Sequence, residues 1–96
     1  MKFSFHPRAE EEFDEAVQYY ENCQKGLGLE FAEEVYATIE RVVAYPHAWS
    51  ELSTNTRRCV LNRFPYGVVF QIKLDILRII AVANLHQRPR YWQGRI

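Results

Sequence analysis

Past the first few residues, the apolar residues of this chain change their spacing once, near residue 57. That change restricts the fold to helices packed on a sheet. Ala9, Phe13, Ala16, Val17 and Tyr20 recur at helical spacing with charged residues between them. His6-Pro7 opens this helix: proline suits the first helical position, and Glu10, Glu11 and Glu12 suit the positive end of the dipole. Gly26 and Gly28 break it near residue 25. A second stripe follows through Leu27, Phe31, Val35, Ile39 and Val42, widened by Ala32, Tyr36 and Val43, until Pro46 ends it. Beyond an irregular stretch at 47–56, Arg57–Phe64, Tyr66–Lys73 and Ile76–Val82 are rich in Val, Ile, Phe and Tyr. In the second run Tyr66, Val68, Phe70 and Ile72 share one face, with Gly67, Gln71 and Lys73 on the other. Lys2–Phe5 alternates and reads as a short edge strand. The expected architecture is α+β: an N-terminal edge strand, a two-helix antiparallel hairpin, a three-stranded antiparallel meander, and a polar tail from Asn84 to Ile96. With 96 residues and no linker or repeat, residues 1–96 form a single domain.

Twelve acids balance twelve bases, but not locally. Residues 1–51 hold eleven acids and four bases, a net −7, and residues 52–96 hold eight bases and one acid, a net +7. Such asymmetry points either to an anionic target for the basic half or to two halves that neutralise each other on folding. Seven of the eight bases are arginines, whose planar forks bind phosphates and carboxylates bidentately. The longest apolar run, Ile79–Ala83, is five residues, far short of the roughly 20 that cross a bilayer. Met1–Phe5 lacks the apolar stretch of a signal peptide, so a cytoplasmic protein without a membrane role is expected. Cys23 and Cys59 have no cysteine or histidine at metal spacing, and no glycine-rich phosphate loop is present; neither metal nor cofactor is expected.

The tail Asn84–Arg95 gathers one His, three Arg, one Tyr and one Trp. Guanidiniums for phosphate oxygens, an aromatic to stack a base and a His or Tyr for proton transfer make a phosphate-handling set. The same residues also suit a segment that docks Tyr91 and Trp92 on the core and leaves its arginines in water. Strand alternation places Arg57 and Arg63 on one face and Arg58 on the other. Arg78 lies in an apolar run and calls for a buried or half-buried partner such as a helix glutamate. Glu10, Glu11, Glu12, Asp14 and Glu15 read as a solvated helix face rather than paired carboxylates. His6 and His47 have no partner at metal or triad spacing.

Several segments together resemble the RelE/ParE superfamily, the small toxins of type II toxin–antitoxin, or plasmid stabilisation, modules. They are Phe5-His6-Pro7-Arg8-Ala9, Arg57-Arg58-Cys59-Val60-Leu61, Phe64-Pro65-Tyr66-Gly67, Ile76–Val82 and the His86–Arg95 tail. The resemblance implies a cognate antitoxin as partner in a hetero-oligomer, with Phe13, Val17, Tyr20, Phe31 and Val35 as its binding stripe. It implies one of two activities. RelE-like members cut mRNA at the ribosome, in which case His86 and Tyr91 are the catalytic candidates, with Glu51 and Arg58 or Arg63 in supporting roles. ParE-like members inhibit DNA gyrase, and Arg57, Arg58, Arg63, Arg88, Arg90, Trp92 and Arg95 are then the target-binding candidates. Ribosomal RNA favours a strongly positive protein, whereas this chain is neutral with only three lysines, and Tyr91 stands five residues from His86 rather than adjacent. The ParE-like reading is therefore preferred, with the ribonuclease and an inactive homologue that only holds antitoxin as alternatives.

Overall fold

A computed structural model describes residues 1–96. Strand β1 (Lys2–Phe5) leads into helices α1 (Pro7–Cys23) and α2 (Leu27–Ala44), followed by β2 (Ser50–Ser53), β3 (Thr56–Val60), β4 (Tyr66–Lys73) and β5 (Ile76–Asn84). A short 3-10 turn, Gln93–Arg95, closes the chain. The five strands form one sheet in the order β1-β5-β4-β3-β2, antiparallel except that β1 runs parallel to β5. The meander thus has four strands where three were expected. Ser50–Ser53 is a strand within the stretch read as irregular. It lacks β-branched and aromatic side chains, and its strand geometry comes from pairing with β3 across a Thr54-Asn55 turn. Asn55 adopts φ 52°, a left-handed conformation that asparagine tolerates, and its side chain donates to the Ile72 carbonyl at 2.9 Å.

The helical hairpin covers one face of the sheet. Phe31, Val35, Ile39 and Val42 of α2 are fully buried against Val68, Phe70, Leu77 and Ile79 of β4 and β5. Two features fix the turn between the helices. Gly26 caps α2 in the left-handed region at φ 89°. Gly28 passes so close to α1 that a Cβ there would lie 2.6 Å from the Val17 carbonyl oxygen. The Glu21 carboxylate accepts from the N–H groups of Gly26 and Gly28, satisfying donors that the start of α2 leaves free.

The opposite face is covered only in part. The pairing register between β4 and β5 shifts by one residue, with Val69 opposite Ala81 and Phe70 opposite Ile79. The extra residue, Ile80, bulges the strand, so Ile80 and Ala81 both join Val69 and Ala83 on the face away from the helices. Trp92, 3% exposed, packs on these four residues. The tail is therefore a packed element, not a solvated appendage.

Candidate functional site

The sheet sorts charge by face. Ten of the twelve acids lie on α1 and α2. Glu51 is the one acid on a strand, and it sits opposite Arg57, which pairs in turn with Phe70 and so shares the helix-covered face. By the same registers Lys2, Arg58, Lys73 and Arg78 point to the other face, alongside Val69, Gln71 and Ile80. The two halves of the sequence that differ in charge are in large part the two layers of the fold.

The target-binding candidates divide accordingly. Arg57 donates to the Trp49 carbonyl at 2.7 Å and lies 3.6 Å from Glu51. Arg63, in the turn after β3, pairs with Glu30 of α2 at 2.9 Å and stacks over Phe64. Both belong to the helix side. Arg58, Arg88 and Arg90, together with Trp92, line a pocket of about 160 Å³ on the other side, and no carboxylate pairs with any of the three arginines. Arg78 is likewise without an acid: its Nη1 lies 3.4 Å from Ser4 Oγ and from the Phe5 carbonyl. The helix glutamate expected for it is on the wrong side of the sheet.

Arg95 has the opposite fate. Its two Nη atoms each donate at 2.9 Å to the two oxygens of Glu12, and Nη1 also donates to the Ile80 carbonyl at 3.1 Å. Glu12 further accepts from the Val82 N–H at 3.1 Å and from the Tyr91 hydroxyl at 2.7 Å. The side chains of Arg95 and Glu12 are only 11% and 19% exposed. Beyond residue 79, β5 has no β1 beside it, because β1 ends at Phe5 and the chain turns into α1. Glu12 and Arg95 satisfy the strand groups left open there. Glu12, expected on a solvated face, is the centre of this clamp. Its spacing on α1 does not separate it from its neighbours; only the length of β1 reveals that a strand edge lies beside it.

Burial and the Glu12 hydrogen bond hold the Tyr91 hydroxyl well above the usual tyrosine range. The hydrogen bonds that Arg95 donates to Glu12 raise its pKa further, against its burial. His6 caps α1, its Nδ1 accepting from the Arg8 N–H at 3.0 Å. Burial first, then the nearby charges of Arg78, Arg95 and Arg8, lower its pKa below the ordinary value. His86 lies on the far side of the tail from the three arginines. It lines a groove of about 770 Å³ with Arg8, Glu11, Glu12 and Tyr19 of α1, Val82 and Asn84 of β5, and Tyr91. Glu51 lies in neither cavity. The structure thus separates the histidine from Arg58, Arg88 and Arg90, while Arg8, which pairs with no acid, shares the histidine's groove.

The antitoxin stripe lies in or against the core. Phe31 and Val35 are fully buried and Phe13 is 8% exposed, while Val17 and Tyr20 pack against them half-buried. Helical periodicity marks a face that needs cover, and here the sheet supplies it. The apolar residues that the helices do expose are Tyr19, Leu29 and Tyr36.

The fold matches a solved structure described as the chromosomal ParDE TA system from P. aeruginosa, with a TM-score of 0.78 and 17% identity over 90% of this chain and 97% of that one. The sequence itself matches the family of the ParE toxin of the type II toxin–antitoxin system, parDE, over residues 3–91. This chain belongs to the ParE toxin family. No curated protein matches it. No helix is long and apolar enough to cross a membrane.

Proposed function

We propose that this chain is a toxin neutralised by a cognate antitoxin, and that it inhibits DNA gyrase by binding rather than by chemistry. The observation that carries this reading is the separation just described. Arg58, Arg88 and Arg90 share a pocket with no histidine and no free carboxylate, and the one hydroxyl side chain that lines it, Tyr91, is committed to Glu12. A ribonuclease needs a base and an acid within reach of the phosphate it attacks, and His86 lies on the other side of the tail. For the antitoxin, the larger groove beside Val82 and Asn84 and the exposed Tyr19 on α1 favour an extended segment laid along α1 past the Glu12–Arg95 clamp, which already occupies the strand groups of Ile80 and Val82.

The test is purified gyrase supercoiling relaxed plasmid in the presence of this protein, paired with growth after induction in cells. Inhibition of supercoiling that the antitoxin relieves is expected. Translation arrest with cut mRNA would instead establish the ribonuclease. Unimpaired growth by a protein that still captures antitoxin would establish an inactive homologue.

A further inference from the structure

We infer that the pocket between Arg58, Arg88 and Arg90 binds the phosphates of a nucleic-acid backbone and holds them without cutting. The inference stands apart from the choice of gyrase as target. It begins from the open face of the sheet, which carries basic strand residues and no acid: Lys2, Arg58, Lys73 and Arg78 face outward there, while Glu51 faces the helices and Asp75 lies in the turn between β4 and β5. A solvated surface would mix both signs of charge. This one excludes acids from a whole layer.

Two of the three guanidiniums are placed by the backbone. Arg58 runs its stem across Gly67 of the neighbouring strand, where an added Cβ would lie 3.1 Å from Arg58 Cγ and Cδ. Glycine at this point lets the arginine lie flat along the sheet. Arg90 sits in the left-handed region at φ 61°, and its Nη2 donates to the Leu52 carbonyl at 2.8 Å, leaving its other N–H groups free. A non-glycine residue held in that region is strained, so the surrounding structure enforces the position.

Three like charges around about 160 Å³ with no acid repel one another. A ligand with several negative charges in sequence relieves that repulsion better than a single side-chain carboxylate does. A sugar–phosphate backbone has such charges, and arginine forks match its non-bridging oxygens bidentately. Trp92 lies beneath the pocket at 3% exposure and offers no ring face for stacking, so the ligand is read by its phosphates and not by its bases. With His86 in the other groove and Tyr91 held by Glu12, nothing in the pocket moves a proton.

The experiment is fluorescence anisotropy of a labelled DNA duplex and, separately, a labelled RNA strand, titrated with the purified full-length chain between about 50 and 200 mM salt. Binding should weaken with salt at a log–log slope near −3, about −0.9 for each of three phosphates. Arg58→Gln with Arg88→Gln should lower affinity about tenfold or more and the slope by about 2, with an unchanged melting temperature. Gly67→Ala, which displaces the Arg58 stem without removing a charge, should weaken binding in the same direction. Arg57→Gln, on the helix face, should stay within about twofold. Equal losses from Arg57→Gln, an unaffected double variant, or no binding at the lowest salt would overturn the site. Equal competition by a polyglutamate peptide of the same charge would make it an acidic-peptide site instead, and cleavage of the RNA strand would overturn holding without cutting. A protein that binds DNA yet leaves gyrase untouched refutes the gyrase reading alone.

Discussion

The C-terminal segment meets the rest of the molecule in two opposite ways. At its end, Arg95 is buried, shares two parallel hydrogen bonds with Glu12 and reaches back to the Ile80 carbonyl. In its middle, Arg88 and Arg90 are exposed beside Arg58, and none of the three has an acid. The same residue type serves cohesion in one place and is left open in the other. The difference lies in the partner layer: α1 supplies a carboxylate where the tail crosses the edge of β5, whereas the open face of the sheet has no carboxylate to give. A count of arginines cannot separate the two uses; only the neutralising partner does.

The largest effect is expected at the clamp. Glu12→Ala leaves a buried guanidinium, the Tyr91 hydroxyl and the Val82 N–H without their acceptor. Breaking such a pair from one side costs about 3–5 kcal/mol, which in a domain this small lowers the melting temperature by at least about 10 °C. Adding Arg95→Met to Glu12→Ala should recover part of the loss, because the stranded charge is gone. The Arg58→Gln, Arg88→Gln pair should leave the melting temperature within about 2 °C of the parent. Calorimetry on the three proteins decides. Similar melting temperatures for the clamp and pocket variants would erase the contrast between the two ends of the tail.

What the sequence disclosed follows from how far each signal reaches. Both helical stripes, the alternation of β4 and the overall α+β order depend on neighbours within a few residues, and Phe31, Val35, Phe70 and Leu77 are buried as the periodicity requires. Ser50–Ser53 was illegible because its strand comes from β3, not from its own side chains. The stripe through Phe13, Phe31 and Val35 is covered by the sheet in this structure, because an apolar face needs cover but does not name what covers it. The division among Arg57, Arg58, Arg63, Arg78, Arg88, Arg90 and Arg95 depends on registers and on contacts up to 83 residues apart in the sequence. No local pattern records those contacts.

A smaller effect should appear as a pH dependence confined to the clamp side. His6 caps α1 with a neutral ring nitrogen, and the fold holds its pKa below the unfolded value of 6.5. The folded chain therefore binds fewer protons than the unfolded chain near that pH. Stability should be full above about pH 6.5 and should fall as the pH drops toward the folded value, where the cap is lost at a cost of about 1 kcal/mol. His6→Asn, an acceptor that does not titrate, should flatten this slope. NMR titration sharpens the comparison further. Removing Arg95, whose charge lowers the His6 pKa, should shift the histidine, while the Arg58, Arg88 pair should not move it, since neither contributes to its field. An equal shift from both sets would mean that the two sides are not electrically separate.

The smallest expected effect comes from two residues that share one backbone state. Leu74, in the turn between β4 and β5, and Arg90, in the tail, hold φ of 56° and 61° without being glycine. Each carries roughly 1–2 kcal/mol of left-handed strain, of which glycine would return less than about 1 kcal/mol after its own entropy cost. Leu74 is 96% exposed, so Leu74→Gly should raise the melting temperature by a few degrees and change nothing else. Arg90→Gly gains the same relief but loses the hydrogen bond to the Leu52 carbonyl, so its melting temperature should scarcely move. Its affinity for a DNA duplex should nevertheless fall, with the salt slope reduced by about one. Strain at position 74 is then incidental to a turn, while strain at position 90 holds a guanidinium where a ligand needs it. If Arg90→Gly keeps its DNA affinity and rises in stability as Leu74→Gly does, the left-handed arginine is only a turn residue and the pocket is held by Arg58 and Arg88 alone.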